Sequence, residues 1–563
     1  MNRQFLFLLL LSVFTSCRHQ ESKVENNHSS GLPSLYITLK PEELNFVLND
    51  PDYKVPAKAL FLSADNDTLF EGELDHIKTR GNSTFEYVKK PFTIKFPMKI
   101  RILGLDKSRS FVLLANAMDE SHIRNAIAFD LAHAVGLPAP QYAYLSLYIN
   151  GEYKGLYQMT NKVEVSKHTL NITNLDKLNK QANLHPLSEY AWFGYGKNKQ
   201  TILRKGVLLE QDPMDITGGY LLDNSGMNWI YNKSVSGFVS NAGDPIRIRS
   251  PKYSSPNEVN YIATIYNQME VAVLAEDGYN PQTGKHYTEY INSESFALYY
   301  LLSELLLNQD GGFVSFFMYK DSDFVDSRFY AGPVWDFDAS LNSFACDMEI
   351  LEYNEIYVGA KIGDFGVPHS RGLLFHLLRH EDFQRNVKSI YYQIVSPCCH
   401  KYLNERTTDS LVMVLCEEAI RDRQLYQTRK TSDYNDAAEK AINFLMKRLD
   451  FFDWYFSSSQ DEIVIADYQS KSKDPHERGI KIIYSVGKPI HTPSFLKPIV
   501  YKHEPILALY IAGTDSIVPD GTVFHSARNL ELRFRKPTWR EVQMRRVRIK
   551  LAKWGFYDHN DIK

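Results

Sequence analysis

The 563-residue chain has little cysteine, little net charge and no long apolar run. Its five cysteines are Cys17, Cys346, Cys398, Cys399 and Cys416. They match no zinc spacing, and adjacent Cys398 and Cys399 rarely bond each other, so neither a disulfide framework nor structural zinc defines this fold. A net charge of −3 leaves no electrostatic footprint for nucleic acid, and no nucleic-acid partner is expected. The most apolar stretch, residues 5–13, is too short to span a bilayer as a mature helix, which needs about 20 residues.

What is present is ordinary for a globular protein: 44% hydrophobic and 23% charged residues. The aromatic share of 13% is high. Length alone suggests several domains. The opening "MNRQFLFLLLLSVFTSC" has Arg3 as a positive n-region, the short apolar stretch and then small or polar residues, the pattern of a signal peptide. Its ending resembles a bacterial lipoprotein signal, in which Cys17 carries the lipid and becomes the mature N-terminus. That resemblance implies a signal peptide over 1–17, a polar tether over 18–33 and anchoring to a membrane through Cys17. The expected location is the bacterial cell envelope, on its periplasmic or outer face.

Hydrophobic patterning divides the rest. Between 34 and 172, alternating runs such as "SLYITL", "KALFLSA" and "PFTIKF" predict strands. "SHIRNAIAFDLAHAVGL" has helical spacing and a stop at Gly136, and Asn150-Gly151 predicts a hairpin turn. Residues 173–257 read as irregular, with strand-like "GVLLEQD" and "GGYLLDN" inside Asn- and Gly-rich sequence. Helical periodicity dominates next, a hairpin of "SFFMYKD" and "RFYAGPVWDFD" follows, and 371–456 reads as almost all helix. Residues 458–479 read as a polar linker, and 480–563 as a small β-rich domain. That domain is locally basic, with ten Lys/Arg against two Glu over 528–553; solvated strand faces account for this more simply than contact with an anionic surface.

Four stretches carry chemistry. In "RGNSTFEYVKKPFTIKF" a tight turn and Arg80 suit an anion, and Lys95 lies on a strand with Phe92, Ile94 and Phe96. An inward Lys95 would hold phosphate; an outward one would be an ordinary surface lysine. In "LLANAMDESHIRNAIAFDLA", Asn116, Asp119 and Arg124 fall at a helix start, where the dipole favours anions and capping already accounts for Asp119 and Ser121. In "LLSELLLNQDGG", Asp310 follows an apolar helix at the wrong end of its dipole, a cost consistent with a carboxylate that accepts a hydroxyl proton. In "GPVWDFDASL", Asp336 and Asp338 end an apolar segment, and oxygen ligands of this kind suit Mg²⁺.

Taken in order, these stretches, with "LSLYINGEYKGLYQMTNKVEV" and "RGLLFHLLRHEDFQ", resemble the CotH family of atypical protein kinases, related to spore coat protein H. The resemblance spans roughly 35–456. It implies an α+β, remodelled kinase-like bilobal fold over 34–457, with a mixed N-lobe near 34–172, a mainly helical C-lobe near 205–457, and the small β domain beyond. It further implies transfer of the γ-phosphoryl of ATP, with Mg²⁺ or Mn²⁺, to Ser/Thr of a protein substrate. Asp310 then resembles the catalytic aspartate and Asp336 the metal-binding one, with Asp338 beside it. Arg80, Lys95, Asn116, Arg124, Lys162, Glu164, Tyr330 and Trp335 are the residues placed toward nucleotide. Two departures stand out: Asn161 where many members carry an acid, and "ASLNS" where a glycine usually follows "DFD". With ATP scarce outside the cytoplasm, they leave a second expectation open, a non-catalytic kinase-fold surface lipoprotein binding protein or glycan.

Overall fold

The computed structural model describes residues 31–457, apart from 82, 168, 196–202, 225–235, 313, 344–352, 355, 357, 359–371 and 427–432. Beyond 457 it describes short stretches, among them 460–466, 479–485 and 504–511. Contacts divide the chain into two units. One comprises Met1–Phe129, Pro140–Lys162 and Lys401–Asn443; the other comprises Asp130–Ala139, Val163–His400 and Phe444–Lys563.

The first unit is built on a closed seven-stranded barrel. Its strands are β1 (Ser34–Thr38), β2 (Val55–Leu62), β3 (Thr68–Thr79), β4 (Phe92–Ile100), β5 (Ser108–Leu114), β6 (Tyr142–Ile149) and β7 (Glu152–Asn161). Helix α1 (Pro41–Asn49) joins β1 to β2, and α2 (Arg124–Ala134) precedes β6. Alternation decides which side chains enter the barrel: Leu35, Ile37, Phe92, Ile94, Phe96, Leu145, Leu147, Tyr157 and Met159 form its core. The β6–β7 hairpin turns on Asn150 and Gly151, both at positive φ (51° and 82°), as its two-residue loop requires. Parallel pairing of β1 with β6 closes the barrel.

The outer face of β6 and β7 is also buried, but polar: Ser146, Gln158 and Thr160 are each 1% exposed or less. The helix Thr407–Tyr426 packs there. Its Glu418 accepts from Ser146 Oγ at 2.7 Å, and its Asp422 accepts the Leu156 N–H at 2.8 Å. Sequence patterning assigned this helix to a helical C-lobe; its contacts group it with the barrel.

The second unit carries a seven-stranded sheet in the order β14-β13-β10-β12-β11-β9-β8. Its members are β8 (Trp192–Tyr195), β9 (Arg204–Val207), β10 (Tyr220–Asn224), β11 (Ser236–Val239), β12 (Pro245–Ser250), β13 (Phe316–Lys320) and β14 (Phe329–Ala331). Its helices include α3 (Leu175–Ala182), α4 (Pro256–Leu274) and α5 (Ser293–Leu305). The strand-like "GGYLLDN" and the hairpin of "SFFMYKD" and "RFYAG" are β10, β13 and β14, whereas β8, β11 and β12, of four to six residues, give too weak a periodicity to stand out. Ser255 and Glu258 form a capping box at the start of α4. Gln460–Ala466, read as linker, is a strand paired with Gly479–Ser485; its short apolar run "IVIA" was obscured by polar flanks. The overall class is mixed α and β, as expected.

Candidate functional site

Asp310 and Asp336 are both half-buried and belong to the second unit. Helix α5 is buried from Ser295 to Leu305 and ends abruptly: Leu307 turns to φ 48°, and Asp310 N–H bonds Asn308 Oδ1 at 3.2 Å. The chain then runs through Gly311 and Gly312 to Ser315, also at positive φ. Asp336 follows β14 and adopts φ 68°, a conformation that aspartate tolerates better than most residues.

Three links bind the two segments together. Leu341 N–H donates to Leu306 O at 2.7 Å, Gln309 N–H to Ala339 O at 3.4 Å, and Ser315 Oγ to Asp336 Oδ2 at 2.7 Å. Tyr299, on α5, reports the shared charge. Burial raises its hydroxyl pKa and a hydrogen bond with Ser303 opposes this, while Asp336, Asp310 and Asp223 each push it further up. Ser315, Tyr299 and Asp223 were not singled out in the sequence. A charged residue inside the apolar strand "YLLDN" was a usable signal for Asp223; Ser315 and Tyr299 left none.

Asp338 and Trp335 are both 8% exposed. Tyr330 lies on β14, stacked on Tyr319 with ring centroids 5.2 Å apart, and its hydroxyl donates to Asp326 at 2.7 Å. Glu164 is half-buried, and its carbonyl accepts the Leu170 N–H at 3.4 Å.

The remaining named residues lie in the barrel unit. Lys95 alternates with inward Phe92, Ile94 and Phe96, so its side chain stands on the outer face, 3.5 Å from Asp75, which also pairs with Arg109 at 2.8 Å. The inward placement of Lys95 therefore does not hold. Arg80 is half-buried, with its N–H bonded to Pro91 O. Arg124 is 4% exposed and paired with Asp119, whose other oxygen accepts the Arg124 N–H at 2.9 Å. Asp119 thus caps α2 and neutralises the cation that sequence left without a structural task. Asn116, at φ 48°, reaches His122 O and Gln158 Oε1, each at 3.4 Å. Asn161 is buried and donates to Asp106 O at 2.9 Å; Lys162 beside it is exposed.

A lysine that the sequence did not single out is the buried one. Lys89 is 4% exposed, bonded to Asp422 at 2.6 Å and to Leu156 O at 2.6 Å. Burial lowers its pKa, and Asp422 opposes that shift. Only its place beside Lys90, just before β4, could have marked it.

The aspartate site offers oxygen donors only. Among the described residues no group of three or more His, Cys, Asp or Glu could hold a metal ion. Two carboxylates still fit Mg²⁺, which takes one or two from protein and fills its other positions with phosphate oxygens and water. Cys398, Cys399 and Cys416 are free thiols. Cys17 and Cys346 lie outside the described residues. Among the described residues no helix is long and apolar enough to cross a membrane.

Residues 77–452 match the CotH kinase protein family, and the chain belongs to that family. Comparison with curated proteins gives no match.

Proposed function

We propose that this protein is a metal-dependent kinase that transfers the γ-phosphoryl of ATP to Ser or Thr hydroxyls of cell-envelope proteins. In this reading it works from a lipid anchor on Cys17. Family membership supports the reaction class. The observation that carries the site is the Ser315–Asp336 hydrogen bond, which ties the turn after Asp310 to Asp336.

Asp310 orients the acceptor hydroxyl and takes its proton as the oxygen–phosphorus bond forms and the β–γ bridging bond breaks. Asp336, with one oxygen fixed by Ser315, keeps the other for the ion, and Asp338 adds negative charge nearby. When bound, Mg²⁺ neutralises charge on the phosphates.

The test is transfer of label from ATP with Mg²⁺ or Mn²⁺ to a Ser/Thr-containing acceptor, run beside Asp336→Ala. Loss of the aspartate should lower the rate on the order of a hundredfold or more. Nucleotide at 100 times its Kd should add about 2.7 kcal/mol of stability. Absence of both label transfer and any nucleotide-dependent thermal shift would overturn the proposal.

A further inference from the structure

One face of the seven-stranded sheet holds two half-buried cations that make no ion pair with a described residue. Strand register sets them in a row. Lys205 on β9 lies opposite Gly237 on β11, Gly237 opposite Arg247 on β12, and Arg247 opposite Asp223 on β10. Residues directly opposite share a face, so Lys205 and Arg247 stand about 10 Å apart at the backbone, with no side chain between them. Ile246 and Ile248, on either side of Arg247, are buried on the other face.

Both cations are half-buried. Neither makes a side-chain hydrogen bond or ion pair with a described residue. The acid opposite Arg247, Asp223, places its Oδ2 3.0 Å from Arg249 Nε and acts on Arg247 through its charge alone. Lys205 holds its ammonium over the Trp192 ring, 5.1 Å from the centroid, which steadies it without cancelling its charge. Burial lowers the pKa of Lys205, and lowers Arg247 to about 10 with help from Arg249 and against the charge of Asp223. A desolvated cation held in no ion pair opposes folding, and a bound anion would reduce that cost.

We propose that Lys205 and Arg247, flanking Gly237, form a binding site for a dianionic phosphate group. Two positive charges match the two negative charges of a phosphate, where a carboxylate brings one. The guanidinium fork and the ammonium point charge are both suited to phosphate oxygens. The site goes beyond the kinase reading and uses neither Asp310 nor Asp336.

Calorimetric titration of inorganic phosphate, pyrophosphate and ATP into the whole protein, without divalent metal, tests it. The expected result is saturable phosphate binding, weakened tenfold or more in Arg247→Met and in Lys205→Met and unchanged in Asp336→Ala. Tighter binding of ATP than of phosphate, with the same sensitivity to Arg247→Met, identifies the source as a nucleotide; equal binding identifies free phosphate. No saturable binding, or binding indifferent to both substitutions, overturns the proposal. Binding lost in Asp336→Ala but kept in Arg247→Met also overturns it, because the anion then sits at the aspartates.

Melting without phosphate is a second readout. Arg247→Met should melt at or above the wild-type temperature, whereas Arg249→Met, which strips Asp223 of its partner, should melt lower. An Arg247→Met protein as destabilised as Arg249→Met makes Arg247 structural and ends the proposal. Phosphate binding without kinase activity would refute only the kinase reading, and activity without this binding only the present one.

Discussion

At the scale of single residues, the candidate site depends on one hydroxyl. Asp336 and Ser315 both occupy the left-handed region, and the bond between them fixes one carboxylate oxygen in a conformation few residues adopt unaided. A hydrogen bond to a charged group contributes about 1.5–3 kcal/mol. If that strength is used to hold Asp336 in its working orientation, Ser315→Ala should lower kcat roughly 10- to 100-fold, with a smaller change in KM for ATP. Steady-state kinetics on the two proteins checks this, and an unchanged kcat removes Ser315 from the site. The aspartates were legible because carboxylates that abut apolar runs demand a reason. Ser315 was not, since a serine after two glycines reads as turn, nor was Tyr299, which reads as helix core. Asp119 explains why Arg124 misled: a buried cation looks unemployed until the acid five residues earlier folds back onto it.

At the scale of elements, the barrel unit turns on how one helix meets one strand. Asp422, on the helix Thr407–Tyr426, takes the Leu156 N–H and the Lys89 ammonium together, in a site where both charged groups are 5% exposed or less. The approach requires Gly155, at φ 102°: a Cβ there would lie 2.1 Å from Asp422 Oδ1. Gly155→Ala should therefore destabilise doubly, through its backbone conformation and by displacing Asp422 from Lys89. Asp422→Ala should cost about 3–5 kcal/mol by leaving Lys89 buried and unpaired. In the double variant the clash has no target, so its destabilisation should fall well short of the sum of the two singles, measured by denaturant unfolding. Additive losses would mean that Gly155 serves the strand alone. Most strands of this unit were legible from alternation. Closure of the barrel was not, because pairing β1 with β6 joins residues more than a hundred positions apart and leaves no local pattern.

At the scale of the whole molecule, sequence indicated a mixed chain whose chemistry gathers on a few carboxylates, and it failed where elements were short or long-range. The strand that holds Asp223 and the β13–β14 hairpin were legible, but their assembly with four other brief strands into one sheet was not, and the helix Thr407–Tyr426 gave no sign of which unit it joins. Net charge is equally uninformative about pH: −3 summed over 563 residues conceals buried groups with opposite demands. His122 is pushed down to about 4, first by burial and then by the charge of Lys89. Below about pH 6.5 the unfolded chain takes a proton that folded His122 refuses, so its contribution is whole above 6.5 and is lost toward 4, about 3 kcal/mol in all. Glu258, buried in the α4 capping box, is pushed up to about 8 by burial, against hydrogen bonds from Ser255 and Asn179. Folded Glu258 keeps a proton that the unfolded chain releases near 4.5, so its contribution is whole below 4.5 and is lost as pH rises to 8. Glu270, raised to about 7 by burial, reinforces that alkaline loss. Between 4.5 and 6.5 the histidine and the acids oppose each other; above 6.5 only the acids act. Glu258→Gln keeps an oxygen for Ser255 and Asn179 and removes the titration. The variant should melt close to wild type at pH 5 and several degrees above it at pH 8, in a calorimetric series across that range. A melting difference that stays constant with pH would mean that Glu258 is ionised in the folded protein throughout, and that its hydrogen bonds outweigh its burial.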